Sequence, residues 1–364
     1  MFKKKTYIFV TRKVILYCGI LLLMLMLAVF PTYSLTSAKE ALRLCFENII
    51  PSLFPFFVLS QLLINTGFAK AAGKLISPII RPLFKVSGTG GVAFLIGLIS
   101  GYPSGAKSVS DLYKSGNLDK ADAERLLPFC NNSGPLFIIG AVGLGMLKNQ
   151  HTGLMLYIVH ILSAIIAGFI SGLLHGKNKI NTTNRHNQVS VLYNNFGAIF
   201  SESVKNSVIS ILNVCGFIVF FLSVTAPISA LLPQGLAGGI LKGITEVTGG
   251  ISAISQSASS TSSLPLISFL LGFGGFCVSL QVMGIAKGES LSMKYYLPYK
   301  ILQGIISFLL CSLVLKKTSA VYVFNMENTI NFKTGNSGAA ITSVFIICAF
   351  YFFIITLRKS FKKD

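Results

Sequence analysis

Asn131-Asn132-Ser133 lies between two apolar runs, after Leu127-Pro128-Phe129-Cys130 and before Gly134-Pro135. Polar side chains placed this way can cap the start of a helix, whose first N–H groups have no intrahelical partners and carry partial positive charge. Such an end attracts a carboxylate or a phosphate, and Pro135 suits the first turn of a helix beginning there. An ordinary cap and an anion site both fit these residues. Upstream, Gly97-Leu98-Ile99-Ser100-Gly101-Tyr102-Pro103-Ser104-Gly105-Ala106-Lys107-Ser108 adds Ser104 and Lys107. Gly and Pro free backbone groups from helical bonding here. Lys107 is either a lysine snorkelling to the interface or an anion contact. The stretch is no phosphate loop, because Ala106 separates Gly105 from Lys107 and no strand leads into it. Ser279 and Gln281 lie in a similar glycine-rich dip at 272–284. His160 falls in an apolar run, where it is either functional or a hydrogen-bonded packing group. The Ser/Thr-rich residues 255–263 read as a watery vestibule or a plain surface loop.

Other chemistries are poorly supplied. No Ser/His/Asp set, H-E-x-x-H motif or carboxylate pair occurs, and the chain has only 11 acidic residues. That argues against hydrolytic catalysis and against a proton relay rich in buried carboxylates. The expectation is a protein that is not an enzyme and uses no metal or cofactor. The seven cysteines form no C-x-x-C pair and sit mostly in apolar runs, so they read as small hydrophobes rather than a disulfide or zinc framework.

The elements that position these residues are membrane segments. Hydrophobic residues make up 52% of the chain and charged residues only 12%, against roughly 25% charged in a soluble domain. The 34 glycines suit close helix contact in lipid. The net charge of +20 concentrates at segment ends: Lys3, Lys4, Lys5, Arg12 and Lys13 before the first span, Lys177, Lys179 and Arg185 centrally, and Arg358, Lys359, Lys362 and Lys363 at the end. This positive-inside pattern needs no nucleic acid and favours the cytoplasm for both termini and the central connection.

Residues 14–30, 153–174, 207–232 and 338–357 are uninterrupted spans by length and lack of charge. Residues 297–315 form another, with Lys300 near one end, where it can snorkel. Four segments are apolar but broken: 41–64 by Arg43, Glu47, Pro51 and Pro55, 91–110 by Gly101, Pro103 and Gly105, 134–147 by being too short, and 264–286 by Gly272, Gly274 and Gly275. Broken backbone is tolerated at membrane depth only where protein or a watery cavity covers it. Gly168 and Gly172 read as a helix contact.

Ordered matches relate the two halves. Phe56-Phe57-Val58-Leu59-Ser60 parallels Phe220-Phe221-Leu222-Ser223. Val86-Ser87-Gly88-Thr89-Gly90-Gly91 parallels Val247-Thr248-Gly249-Gly250, and Phe94-Leu95-Ile96-Gly97 parallels Phe269-Leu270-Leu271-Gly272. Lys114-Ser115-Gly116-Asn117-Leu118 then matches Lys287-Gly288-Glu289-Ser290-Leu291, and Leu127-Pro128-Phe129 matches Leu297-Pro298-Tyr299. Duplication with breaks at matching places marks secondary transporters. The organisation read from this is an N-terminal transmembrane helix (1–38), a first repeat and following span (39–175), a polar basic linker (176–200), a second repeat (201–317), and a polar loop with a C-terminal transmembrane helix (318–364).

Gly101-Tyr102-Pro103-Ser104-Gly105-Ala106-Lys107 together with Cys130-Asn131-Asn132-Ser133-Gly134-Pro135 resembles the YlbJ-like sporulation integral membrane proteins, part of the nucleoside-recognition or Gate group. The resemblance runs over about residues 41–315. It implies an all-α polytopic membrane protein of two repeated Gate-like halves with broken or re-entrant helices, similar to concentrative nucleoside transporters. The implied role is transport of dipicolinic acid from the mother cell across the outer forespore membrane of a spore-forming bacterium. Ser104, Lys107, Asn131, Asn132, Ser133, Ser279 and Gln281 are the expected substrate contacts. The second half departs from the motif, with Gly274-Gly275-Phe276 in place of Gly101-Tyr102-Pro103. A nucleoside or other metabolite carrier and a spore-envelope scaffold are the alternatives. The expected partners are a small anion and the bilayer, with homo-oligomerisation left open.

Overall fold

A computed structural model describes residues 2–66, 68–175, 196–231, 235–257 and 260–317. The expected span at 338–357, the polar loop at 318–337 and residues 176–195 of the expected basic linker lie outside the described residues, while residues 196–200 of that linker are already helical, as the start of the apolar helix that begins at Phe196. Every described element is helical. Helices Gln150–Leu174, Phe196–Ile228, Ser263–Gly288 and Tyr296–Lys316 are long and apolar enough to cross a membrane, and two bent pairs bring the number to six. Their outward faces carry exposed Leu21, Leu75, Ile79, Phe200, Leu212 and Leu313, which is stable only if lipid covers them. The chain is therefore an integral membrane protein.

Helix α1 (Phe2–Val29) turns by 94° at Phe30 into α2 (Pro31–Leu44). Pro31 heads α2, as the missing N–H of proline allows. A π-helical turn, Cys45–Ile49, then leads into α3 (Ile50–Asn65). The expected break in 41–64 is thus absent. The extra residue of the π-turn lies just ahead of Pro51 and Pro55, and widening a helix is one way to accommodate disturbed i→i−4 bonding. Arg43 and Glu47 pair at 2.8 Å on its exposed face.

Amphipathic α4 (Phe68–Phe84) meets α5 (Gly88–Ser100) at 88°. Ser87 caps α5 by accepting from the Gly90 N–H at 3.4 Å. The chain breaks at Gly101–Pro103, where Gly101 has φ +77° and the Tyr102–Pro103 bond is cis. It resumes as α6 (Ser104–Lys114), then α7 (Lys120–Cys130), which Asp119 caps through the Asp122 N–H at 2.6 Å. Residues 131–134 are unwound; helical backbone resumes at Pro135 and continues as a short π-helical segment, Leu136–Met146. Its 11 residues confirm that this run is too short to cross. Helix α8 (Gln150–His175) completes the first part.

The second part contains α9 (Phe196–Leu231), α10 (Leu236–Thr245), α11 (Val247–Ser257), α12 (Ser260–Phe273), α13 (Gly275–Gly288) and α14 (Tyr296–Lys317). The expected break in 264–286 is confined to Gly274 and Gly275, with φ +82° and +79°.

Small residues set the closest crossings. A Cβ on Gly97 or on Gly105 would strike the Cys130 carbonyl, so α5, α6 and α7 meet without an intervening side chain. Gly168 and Gly172 form the expected contact face, against the Phe84 ring and backbone. A Cβ on Gly172 would lie 2.9 Å from the carbonyl carbon and oxygen of Phe84. Gly172→Val is therefore expected to lower the unfolding midpoint in detergent, by about 1–3 kcal/mol of overpacking. A midpoint equal to wild type would remove this contact from the packing.

Polar pairs tie helices inside the bundle. Ser60 and Ser100 hydroxyls are 2.7 Å apart, as are those of Ser268 and Ser307. Asn65 Nδ2 donates to Ser203 Oγ at 3.2 Å, joining α3 to α9. Such bonds hold helices together where no hydrophobic driving force acts between them.

Candidate functional site: a polar hub and two interior cavities

The unwound residues 131–134 lie against α14. Asn131 Nδ2 donates to the Tyr296 hydroxyl at 2.8 Å, and the Asn131 carbonyl accepts from Lys300 Nζ at 3.1 Å. Asn132 Nδ2 donates to the Phe129 carbonyl at 2.6 Å, while its Oδ1 accepts from Gln303 Nε2 at 2.9 Å. Lys300 Nζ also donates to Gln303 Oε1 at 2.8 Å. The Ser133 N–H donates to His160 Nε2 at 3.1 Å. Each of these side chains is at most 1% exposed. In a bilayer interior, where a polar group without a partner is costly, this bonding fixes the path of the unwound segment.

The hub differs from the sequence expectation in two physical respects. Helical backbone begins at Pro135, directly after the expected start at Ser133 or Gly134, with the Gly134 carbonyl accepting from the Ile138 N–H at 3.0 Å, and the Ser133 N–H is taken by His160. Lys300 does not snorkel: it is 1% exposed and turned inward onto the Asn131 carbonyl. An unwound carbonyl on the neighbouring helix supplies the partner that water would supply at the interface. The sequence offered no sign of this, since a lysine near the end of an apolar run reads as interfacial.

Two cavities flank the Gly101–Pro103 break. One, of about 400 Å³, is lined by Gly101, Tyr102, Gly134, the Leu136–Met146 segment, Thr248, Cys277 and Gln281, with Glu246 its one charged lining residue. The other, of about 460 Å³, is lined by Pro103, Lys107, Asn206, Ser210, Asn213 and Gln281 among apolar neighbours. Both volumes fall in the range of small-molecule sites, roughly 300–1,000 Å³. Gln281 and Val214 border both.

The expected contacts are therefore distributed. Lys107 and Gln281 line the polar cavity, and Lys107 Nζ is 3.9 Å from Asp111 Oδ1. Ser104 and Lys107 border a small gap beside Ser60 and Gln61. Asn131, Asn132 and Ser133 belong to the hub and do not line these cavities. Ser279 is buried and donates to the Gly275 carbonyl at 2.9 Å. Glu246 and Gln303 are additions to the residues read from the sequence, where Tyr102 enters only as part of a motif and Lys300 only as an interfacial lysine. Glu246 precedes a Val-Thr-Gly-Gly match to the first half, which was the available signal for it.

Charged bonds also join the parts away from the cavities. Arg125, 4% exposed, donates to Asp122 Oδ1 and the Lys85 carbonyl, both at 2.8 Å. Burial pushes the Asp122 carboxyl above its ordinary pKa against the opposing pull of Arg125. Glu124 accepts from the Ser292 N–H at 2.9 Å, and Lys114 approaches Glu289 at 3.5 Å.

Comparison with known proteins agrees with this architecture. The Gate family, described as nucleoside recognition, matches residues 46–135, from the π-turn through the unwound segment. The chain is 31% identical to the sporulation integral membrane protein YlbJ of Bacillus subtilis (strain 168), over 89% of this chain and 91% of that protein. No solved structure matches. With that identity over nearly the full length of both proteins, the chain belongs to the family of the sporulation integral membrane protein YlbJ.

Proposed function

We propose that this protein carries a small organic anion, dipicolinate, from the mother cell across the outer forespore membrane during sporulation, and that it acts as a carrier rather than an enzyme. The observation that carries the reading is the polar cavity beside the Gly101–Pro103 break, where Lys107, Asn206, Asn213 and Gln281 converge. A lysine with neutral amides suits a carboxylate-bearing aromatic, because charge-assisted hydrogen bonds to carboxylates are the strong ones. The name of the B. subtilis relative supports the sporulation setting. Asn131, Asn132 and Ser133 act by holding the break in place from behind.

Two Gate-like halves also fit. The α4–α5 corner closes on Gly73 and Gly88, as the α10–α11 corner closes on Gly243 and Gly250. Gly97 packs on the Cys130 carbonyl, as Gly272 packs on that of Gln303. The second half places an additional helix between these features, and its α14 runs unbroken where α7 stops.

Labelled dipicolinate flux into proteoliposomes tests the reading. Wild type is expected to give flux above empty vesicles. Lys107→Gln is expected to lower it roughly tenfold, the loss of one charged hydrogen bond. Asn132→Ala is expected to lower both flux and folded yield, because it takes away the acceptor of Gln303 Nε2. Absence of wild-type flux would reject dipicolinate as cargo, and unchanged flux in Lys107→Gln would remove that lysine from the site. A nucleoside carrier is the second reading. It is favoured by the nucleoside-recognition match and by Tyr102 and Phe137, whose rings stand edge-on 6.1 Å apart at the apolar cavity. Uptake of labelled nucleoside in the same vesicles distinguishes it. A scaffold would move neither compound.

A further inference from the structure

We propose that Glu246 binds a monovalent cation, a proton or an alkali-metal ion, whose loading is coupled to movement of the cargo. The inference rests on reading the cavities as a transport route, and adds the source of drive.

Glu246 is 4% exposed and is, among the described residues, the one charged residue lining the apolar cavity. Its Oε1 accepts the Thr248 N–H at 2.9 Å and its Oε2 the Gly249 N–H at 2.7 Å. No Lys, Arg or His lies within ion-pair distance of it among the described residues. A carboxylate buried in a membrane protein without a cation is costly, and two backbone donors offset only part of that cost.

Capping alone does not require a carboxylate here. At the matching corner of the first half, Ser87 caps α5 through a neutral hydroxyl. A serine would serve α11 equally well, so the charge at Glu246 calls for a different reason.

The surroundings favour a cation. Gln281, 6% exposed and lining the same cavity, has no hydrogen-bond partner for its Oε1 among the described residues. The carbonyls of Gly243, Ile244 and Thr245, at the C-terminal and partially negative end of α10, converge 3.2–3.4 Å from the position of a Cβ on Gly275. The ionisable groups facing Glu246 are the Tyr102 hydroxyl and the Cys277 thiol, both acidic when they titrate. Helices α11 and α12 and the Leu136–Met146 segment contain no ionisable side chain apart from hydroxyls. On α10, Lys242 sits one turn earlier and makes no ion pair with Glu246 among the described residues. On α9, Glu202, Lys205 and Cys215 are outside the cavity lining. A cation at Glu246 neutralises the site, and an anionic cargo in the adjoining cavity then meets less repulsion across Gln281.

The test uses the purified full-length protein in detergent without cargo. Unfolding midpoints are recorded in choline, sodium and potassium chloride at equal ionic strength, each at acid and alkaline pH, for wild type and Glu246→Gln. Wild type is expected to gain several degrees on acidification if the ligand is a proton, or with sodium or potassium if it is a metal ion. Glu246→Gln is expected to show neither response. Gln281→Leu should lose the metal response and keep the proton response. Equal responses in wild type and Glu246→Gln, or a wild type that responds to no cation, overturn the proposal. Because cargo is absent, the outcome is independent of whether dipicolinate is carried.

Discussion

Gly105→Val and Gly97→Val are each expected to yield almost no folded protein. A Cβ on either glycine falls on the Cys130 carbonyl, and the two Cα atoms are themselves in near contact: the Cβ position of Gly97 lies 3.2 Å from the Gly105 Cα, and that of Gly105 lies 2.9 Å from the Gly97 Cα. Overpacking against a flexible side chain usually costs about 1–3 kcal/mol. Here the obstacle is the backbone of a crossing helix, which cannot rotate aside, so the cost moves toward ~4 kcal/mol or more. That is a large part of a total stability of about 5–15 kcal/mol. The displaced carbonyl also precedes Asn131 directly, so relief by moving α7 would break the bonds to Tyr296, Lys300 and Gln303. The measurement is the monodisperse fraction on size exclusion in detergent. Gly19→Val and Gly216→Val are the controls, since among the described residues nothing lies within 4 Å of a Cβ at either position. Equal yields for Gly105→Val and Gly216→Val would show that the three helices do not meet as described.

Lys300→Met is expected to separate folding from transport. The lysine is 1% exposed and donates to two neutral oxygens, the Asn131 carbonyl and Gln303 Oε1. Methionine removes a polar head whose burial in an apolar interior is costly, which is a favourable change. It also leaves two acceptors short of a donor, at about 1–3 kcal/mol each. These effects oppose each other, so folded yield should fall less than transport. Transport should fall about tenfold or more, because an ionisable residue retained inside a membrane is ordinarily there for function. Here Lys300 is one of the three residues of the uninterrupted α14 that bond to the chain where α7 stops. Flux at matched amounts of folded protein checks the expectation. Wild-type flux in Lys300→Met would leave the lysine as packing alone.

These residues show where sequence reading succeeds and where it stops. Gly101, Pro103 and Gly274 announce their breaks, because φ above zero and the missing proline N–H are local properties. The short Leu136–Met146 segment is legible from its length. The continuity of residues 41–64 was not, since a π-turn ahead of two prolines is a packing solution. Asn131 and Asn132 were legible as interior polar groups. Their partners were not, because Tyr296, Lys300 and Gln303 are 165–171 residues away in sequence. Glu246 carries no motif. Its significance comes from the cavity on one side and the missing cation on the other.

The distance between those partners has a consequence for biogenesis. While the ribosome is still making the second half, Asn131 and Asn132 are already in the translocon or the bilayer. Tyr296 and Gln303 arrive 165 and 171 residues later. At roughly 5–20 residues per second that interval is on the order of ten seconds or more. Throughout it the nascent first half holds polar groups whose final partners do not yet exist. An insertase that shelters polar segments, or a delay in lateral release into lipid, would bridge the interval. Truncation ahead of α14 would leave the first half exposed to membrane quality-control proteases.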